Sequence, residues 1–312
     1  MRVQNFAALI SKVSFDKKTK QPDESILRLR QHIALLSYFF DVEIPPAYRP
    51  IREHMLKVLP FMIKVWIEMS YQMAFYFKHD RSKCDKNMGL KAIRNIIKFS
   101  QYMTHGIWED GDVLLQLPFM TKEIISQIKK AMKKKINYDL TVQDFLALSD
   151  ADRINLGVLG GTEIFELNKA CASFPRLEMT AEVKEPEILV RSYIKISVTI
   201  KRLHLAEDEE QDFVYSSKYP FMKLENLIII VTDSTESELV SFKFIEDQSH
   251  LIETEVVIQA SKEAKKGSFK VFLFSDSFTV EELSQTVEFE TFEADKLSDR
   301  FAYDKEEEEF LK

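Results

Sequence analysis

Ile194-Lys195-Ile196-Ser197-Val198-Thr199-Ile200-Lys201 (IKISVTIK) alternates apolar and polar residues without a break. Successive side chains of a strand point to opposite faces, so this run predicts a half-buried β-strand. Working outward, the same period of two returns in Val240-Phe242-Phe244, Ile252-Thr254-Val256-Ile258, Phe269-Val271-Leu273 and Val287-Phe289. Leu227–Val231 is apolar throughout, the pattern of a central strand covered on both faces. With Leu177–Val183 these make about seven short strands. Seven at this spacing predict an immunoglobulin-like or fibronectin type III β-sandwich.

Before Pro175 the period changes from two to 3.6. Ile26, Leu29, Ile33, Leu36 and Phe40 fall on one helix face, with Asp23 as the expected N-cap and Pro45-Pro46 as the stop. Ile51, Met55, Leu59, Met62, Trp66, Met69 and Met73 form a second stripe, read as core, which Pro60 is expected to kink. A third helix is expected from Lys86 to about Gly106. Shorter helices follow. Thr121 caps one that buries Ile124, Ile125, Ile128 and Met132. Thr141 with Asp144, and Ser149 with Asp152, have the spacing of N-terminal caps. Gly160-Gly161 precedes a last helix, Thr162–Ala172. The expected organisation is α+β and multidomain: a helical bundle over 1–118, a small helix-hairpin-helix-like module over 119–174, the β-sandwich over 175–293 and an acidic tail over 294–312.

Composition narrows the function. Seven glycines in 312 residues is low for a nucleotide-binding α/β enzyme. No phosphate loop, dinucleotide-binding turn or nucleophile elbow is present. Six histidines and two cysteines, Cys84 and Cys171, show no zinc-ligand spacing, so no metal and no cofactor are expected. The distant thiols read as reduced. His32, beside the first stripe, reads as an interfacial histidine and not a general base. No constellation of nucleophile, base and orienting group is visible, so no catalytic residue is assigned and no enzymatic turnover is expected. A formal net charge of −7 disfavours nucleic acid as a partner. Lys129, Lys130, Lys133, Lys134 and Lys135 nonetheless cluster on one short helix. They suit phosphate groups of RNA or lipid, although the favoured reading is a solvated helix face whose lysines complement the macrodipole. Ala206–Asp212 (AEDEEQD) and the tail Asp304–Lys312 are acidic runs expected to stay solvated. The longest apolar stretch, Pro60–Phe77, is interrupted by Lys64 and Glu68, so no transmembrane helix is expected.

Several strings recur in an order that resembles one family. A helix ending in Ile44-Pro45-Pro46 is followed by Leu114-Leu115-Gln116-Leu117-Pro118. Then come Thr141–Arg153 (TVQDFLALSDADR), Ala172–Pro175 (ASFP), and a late strand ending in Ser275-Asp276-Ser277-Phe278. In this order, over about 25–278, they are similar to the cytosolic C-terminal (Brl-type) unit of the Sec-sixty-three family of protein-translocation factors. The resemblance implies a non-enzymatic scaffold on the cytosolic face of the endoplasmic reticulum membrane. Its implied partners are subunits of the protein-conducting channel and other translocon membrane proteins. Membrane association would come through those partners or through segments absent from this chain. By the same resemblance the acidic tail, at Glu306, Glu307, Glu308 and Glu309, would dock a basic partner. The family's J domain and membrane helices have no counterpart here, so the resemblance implies a fragment or a reduced homologue. The same domain also occurs in large RNA helicases. The alternative is therefore a regulatory module of a spliceosomal or related helicase, binding RNA or partner proteins, with the lysine cluster as its best support.

Overall fold

A computed structural model describes residues 22–76, 89–108, 111–133, 141–185, 187–280 and 282–293. Helices come first: α1 (Pro22–Phe40), α2 (Arg49–Tyr76) and α3 (Gly89–His105). A 3-10 turn at Val113–Gln116 leads to the short helices α4 (Lys122–Lys133), α5 (Val142–Leu146), α6 (Asp150–Asn155) and α7 (Gly161–Ala172). Among the described residues eight strands follow, against about seven expected: β1 (Leu177–Val183), β2 (Glu187–Leu189), β3 (Tyr193–Arg202), β4 (Leu227–Asp233), β5 (Leu239–Ile245), β6 (Leu251–Gln259), β7 (Lys266–Ser275) and β8 (Leu283–Phe292). The class is mixed α+β, helices then sheets.

The helix ends have local causes. Asp41 takes φ +53° and Val42 N–H donates to Ser37 O at 3.0 Å, so α1 closes in a Schellman turn well before the prolines expected to stop it. Gly106, at φ +62°, ends α3 in the same way, with Ile107 N–H donating to Tyr102 O. Asp23 lies inside the first turn of α1 and is not its cap. The three caps expected downstream do form: Thr121 Oγ1 accepts from Ile124 N–H, Thr141 and Asp144 make a reciprocal capping box, and Ser149 accepts from Asp152 N–H. Arg153, buried in the fork of α5–α7, donates to Asn168 Oδ1 (2.8 Å), Phe145 O (3.1 Å) and Asp150 Oδ1 (2.8 Å).

Strand order is β1-β3-β6 in one sheet and β2-β8-β7-β4-β5 in the other. The five-stranded sheet is the middle layer of three. On β4, Leu227, Ile229 and Val231 enter a core shared with Ile196, Val198 and Val256 of the smaller sheet. The alternate residues Ile228 and Ile230 face a second core with Ile63 and Ile67 of α2 and Ile93 and Ile97 of α3. On β7, Val271 and Leu273 turn to the first core, and Phe272 and Phe274 to the second. Two covered faces explain why Leu227–Val231 carries no polar residue.

This packing rotates α2 relative to the expected stripe. Its buried line is Leu56, Ile63 and Ile67, and Met69 and Met73 of the expected stripe are exposed. The lower half of the helix leans on the sheet through Tyr71, whose hydroxyl donates to Val240 O at 3.1 Å. His32 is exposed, not interfacial. The acidic insertion is only partly solvated. Glu207, Asp208, Glu209 and Glu210 are exposed, but Gln211 turns inward to His204, and its N–H donates to Gln248 O at 2.8 Å. Among the described residues no helix is long and apolar enough to cross a membrane.

Candidate interaction sites at the helix–sheet junction

The motif residues converge. Leu114, Leu117 and Phe278 share one core with Ile125, Ile128, Phe145, Leu167 and Phe174, with Leu115 packed at its edge and Pro118 buried beside it. The Gln116 side chain reads the backbone that follows Phe278: Thr279 N–H donates to Gln116 Oε1 at 3.1 Å, and Gln116 Nε2 donates to Thr279 O at 3.5 Å. The Phe278 ring meets the rings of Phe174 at 5.1 Å and His105 at 5.5 Å. Both motifs are therefore parts of one joint between α3, the α4–α7 module and the end of β7.

Ser275, Asp276 and Ser277 supply the joint's polar half. Ser275 O accepts from Gln101 Nε2 at 2.8 Å, and Ser277 O is 2.9 Å from His105 Nε2. A carbonyl only accepts, so Nε2 carries the proton. Burial, reinforced by the positive charge of Lys223, drives the His105 pKa down to about 3 against the opposing pull of the Ser277 carbonyl. His105 is thus a neutral donor at physiological pH, not an acid–base group.

Asp276 accepts from Lys223 Nζ at 2.9 Å, from Asn226 N–H and Nδ2 at 3.0 Å each, and from the Ser277 hydroxyl at 2.6 Å. Burial raises its pKa. The Lys223 charge and these hydrogen bonds outweigh that and hold it below the usual carboxylate range. The Ser275 hydroxyl donates to Glu225 Oε1 at 2.6 Å, and Glu225 pairs with Arg202 where both side chains are fully buried.

Sequence reading placed the motif but missed His105, Gln101, Arg202, Lys223 and Glu225. A signal was present for two of them. The apolar spacing Leu90-Ile93-Ile97 on α3 continues in steps of four onto Gln101 and His105, so both had to lie on the buried face.

A second feature flanks the Leu114–Pro118 motif on both sides in sequence. Gly111, Asp112, Lys122, Ile125, Ser126, Lys129 and Lys130 line an open groove of about 470 Å³. One Asp112 oxygen accepts from Leu114 N–H at 3.1 Å and caps the 3-10 turn; the other takes Lys129 Nζ at 2.5 Å. Lys122, Ser126 and Lys130 are exposed along the rim. The groove thus presents two lysines and a hydroxyl on the outer face of α4, whose inner face carries Ile125, Ile128 and Met132. Of the expected lysine cluster, Lys134 and Lys135 lie outside the described residues, as do Glu306, Glu307, Glu308, Glu309 and Cys84. Cys171 is a free, buried thiol that burial raises to about 11. Among the described residues no three His, Cys, Asp or Glu side chains gather as metal ligands.

The model of the Sec63 Brl domain matches residues 82–288. DExH-box ATP-dependent RNA helicase DExH12 of Arabidopsis thaliana is 26% identical over 62% of this chain and 8% of its own length. The U5 small nuclear ribonucleoprotein 200 kDa helicase of Drosophila melanogaster is 28% identical over 47% of this chain and 6% of its own. Activating signal cointegrator 1 complex subunit 3-like of Dictyostelium discoideum is 26% identical over 62% of this chain and 9% of its own. The chain thus spans under a tenth of each of these relatives. Among solved structures, the sensor domain of the anti-sigma factor RsgI4 of Pseudobacteroides cellulosolvens is 11% identical over 38% of this chain and 95% of its own, at a TM-score of 0.24, too low to carry an argument.

These relatives overturn the expectation of an endoplasmic-reticulum translocation scaffold, and with it the expected channel partners and membrane-face location. That choice between the domain's two settings rested on the acidic insertion and tail. An acidic run favours a basic partner of any kind and does not by itself distinguish a membrane channel from a helicase assembly. What stands is the domain itself: the match covers more than half of the chain, which belongs to the Sec63 Brl domain family.

Proposed function

We propose that this chain is a regulatory module of the kind carried by RNA helicases, and that it holds RNA by its phosphates in the groove of Lys122, Ser126, Lys129 and Lys130. The groove itself is the observation that carries the reading. Lysine and serine donors are the usual backbone contacts to nucleic acid, and such contacts position a strand without reading its sequence. Lys129 is held by Asp112, which leaves Lys122 and Lys130 as the groove's movable cations. The helicase relatives support RNA as the ligand class. The chain's net charge of −7 opposes a polyanion, so binding is expected to be weak and salt-sensitive.

The proposal assigns the chain no turnover of its own. It keeps the division into a 1–118 bundle, a 119–174 module, a 175–293 sandwich and a 294–312 tail, with the joint at Gln116–Thr279 fusing the first three into one working unit. It also takes the β unit as fibronectin type III-like. A three-stranded β1-β3-β6 sheet facing β8-β7-β4-β5, with β2 running parallel beside β8, supports that type.

The test is fluorescence anisotropy of a labelled single-stranded RNA with the full chain at low salt. The intact chain is expected to bind, and Lys122→Glu with Lys130→Glu to abolish most of that binding. Each phosphate that the variant no longer neutralises should flatten the log–log salt dependence by about 0.7. Equal affinity for both proteins would remove the groove from the account.

A further inference from the structure

The long connection between β3 and β4 contains a ribbon with two unlike faces. Val214 N–H donates to Lys223 O at 2.8 Å, which sets 213–215 beside 222–224. Val214 packs on the core of the α4–α7 module, and Lys223 is buried on Asp276. Their neighbours must then point the other way, by the alternation of extended chain. They do: Phe213 is 50% exposed, Tyr215 46%, Met222 81% and Leu224 41%. Four large apolar side chains thus share one outer face. Leu203, 50% exposed, stands at the start of the same connection.

The ribbon is firmly held. Between its arms the Ser216 hydroxyl donates to Thr104 O at 2.7 Å, and the Tyr219 hydroxyl donates to Leu56 O at 2.9 Å. A rigid apolar face exposed in this way costs solvation without gaining packing, and marks an interaction surface. Its exposed charge is mostly acidic, with Lys218 at the ribbon's turn as the one exposed cation among the described residues of the connection. Glu207, Asp208, Glu209, Glu210 and Asp212 are exposed on the same connection. Glu166 of α7 borders Tyr215 closely enough to help burial raise the tyrosine's pKa.

We propose that the outer face of the 213–224 ribbon docks a protein segment that carries lysine or arginine between large apolar side chains. The apolar anchors would sit on Phe213, Tyr215, Met222 and Leu224, and the cations would meet the 207–212 carboxylates. RNA does not fit, because its phosphates would face that acidic run. A second copy of this chain fits less well: each copy carries −7, and among the described residues of 111–133 no large apolar side chain is exposed beside the groove's lysines. This proposal is independent of the lysine groove. A face pre-organised by buried anchors loses little conformational freedom on binding, which favours a short peptide.

The test uses the full chain and a short labelled peptide that alternates lysine with leucine and phenylalanine, in the absence of RNA. A second peptide replaces each lysine with glutamate. Saturable binding of the lysine peptide is expected, weakening with salt, and none of the glutamate peptide. Phe213→Ser with Met222→Ser should weaken binding by about tenfold or more, as removal of interface anchors does. Replacing Glu207, Asp208, Glu209 and Glu210 with their amides should weaken it too and remove most of the salt dependence. All six positions are exposed, so the variants should keep the intact chain's urea midpoint. The proposal is overturned by absence of saturable binding, or by equal binding to the intact chain and the Phe213/Met222 variant, which would locate the peptide on another acidic surface. Self-association abolished by the Phe213/Met222 change would also overturn it, by making a second copy the occupant.

Discussion

The joint around Ser275–Thr279 and the groove around Lys122–Lys130 both gather polar side chains, and both border the core of Leu114, Ile125 and Phe278, yet they obey opposite rules. In the joint Lys223, Asp276, Glu225 and Arg202 are buried, and each is matched to an opposite charge. In the groove Lys122 and Lys130 are exposed to solvent. Burial makes an ionic group costly unless it is paired, so the joint is committed to holding the fold together. Exposure makes the groove's lysines nearly irrelevant to stability and leaves them for a ligand. Function on this chain should therefore be separable from folding by mutation.

The largest break in that contrast is Lys223→Met, which strands the Asp276 carboxylate in the interior. A loss of about 3–5 kcal/mol is expected from urea unfolding. Next is pH. Because His105 has a folded pKa of about 3, well below its unfolded value of about 6.5, the unfolded chain binds the extra proton between those limits. Stability from this group is complete above about pH 6.5 and is lost as pH falls toward 3, with a slope of at most about 1.4 kcal/mol per pH unit. The depressed Asp276 acts in the same direction at the acid end of that window. His105→Gln should flatten the fall in urea midpoint between pH 6.5 and 4, and an unchanged profile would remove His105 from the explanation. Smaller again is Gln116→Ala, which leaves Thr279 N–H without its partner and should cost about 1–3 kcal/mol. Smallest is the groove itself. Lys122→Glu and Lys130→Glu should each move stability by no more than about 0.5 kcal/mol while RNA affinity drops. A large stability loss there would mean that the two regions are not separable.

What was legible in the sequence divides along the same line. Local features could be read because their causes are local: the Thr141/Asp144 capping box, the Thr121 cap and the alternation of β3 all formed as expected. Strand β2 was missed because three residues, Glu187–Leu189, are too few to show a period, and they exist as a strand only by pairing with β8. The buried line on α2 shifted because the sheet beneath it, far away in sequence, decides which side of the helix is covered. Charged residues in the joint were missed because an isolated Arg202, Lys223 or Glu225 reads as surface until its partner is seen across the fold. The Leu114–Pro118 and Ser275–Phe278 strings were visible as strings. Nothing local indicated that Gln116 would bond the backbone immediately after Phe278.

RNA held in the groove beside the joint can be located on the chain directly. The most direct measurement is photo-crosslinking of a 4-thiouridine-substituted single strand to the full chain, with the attached peptides mapped by mass spectrometry. Crosslinks are expected to concentrate within residues 111–130 and to be lost in the Lys122→Glu/Lys130→Glu protein. Crosslinks confined to the β-sheets, or persisting unchanged in that variant, would contradict it.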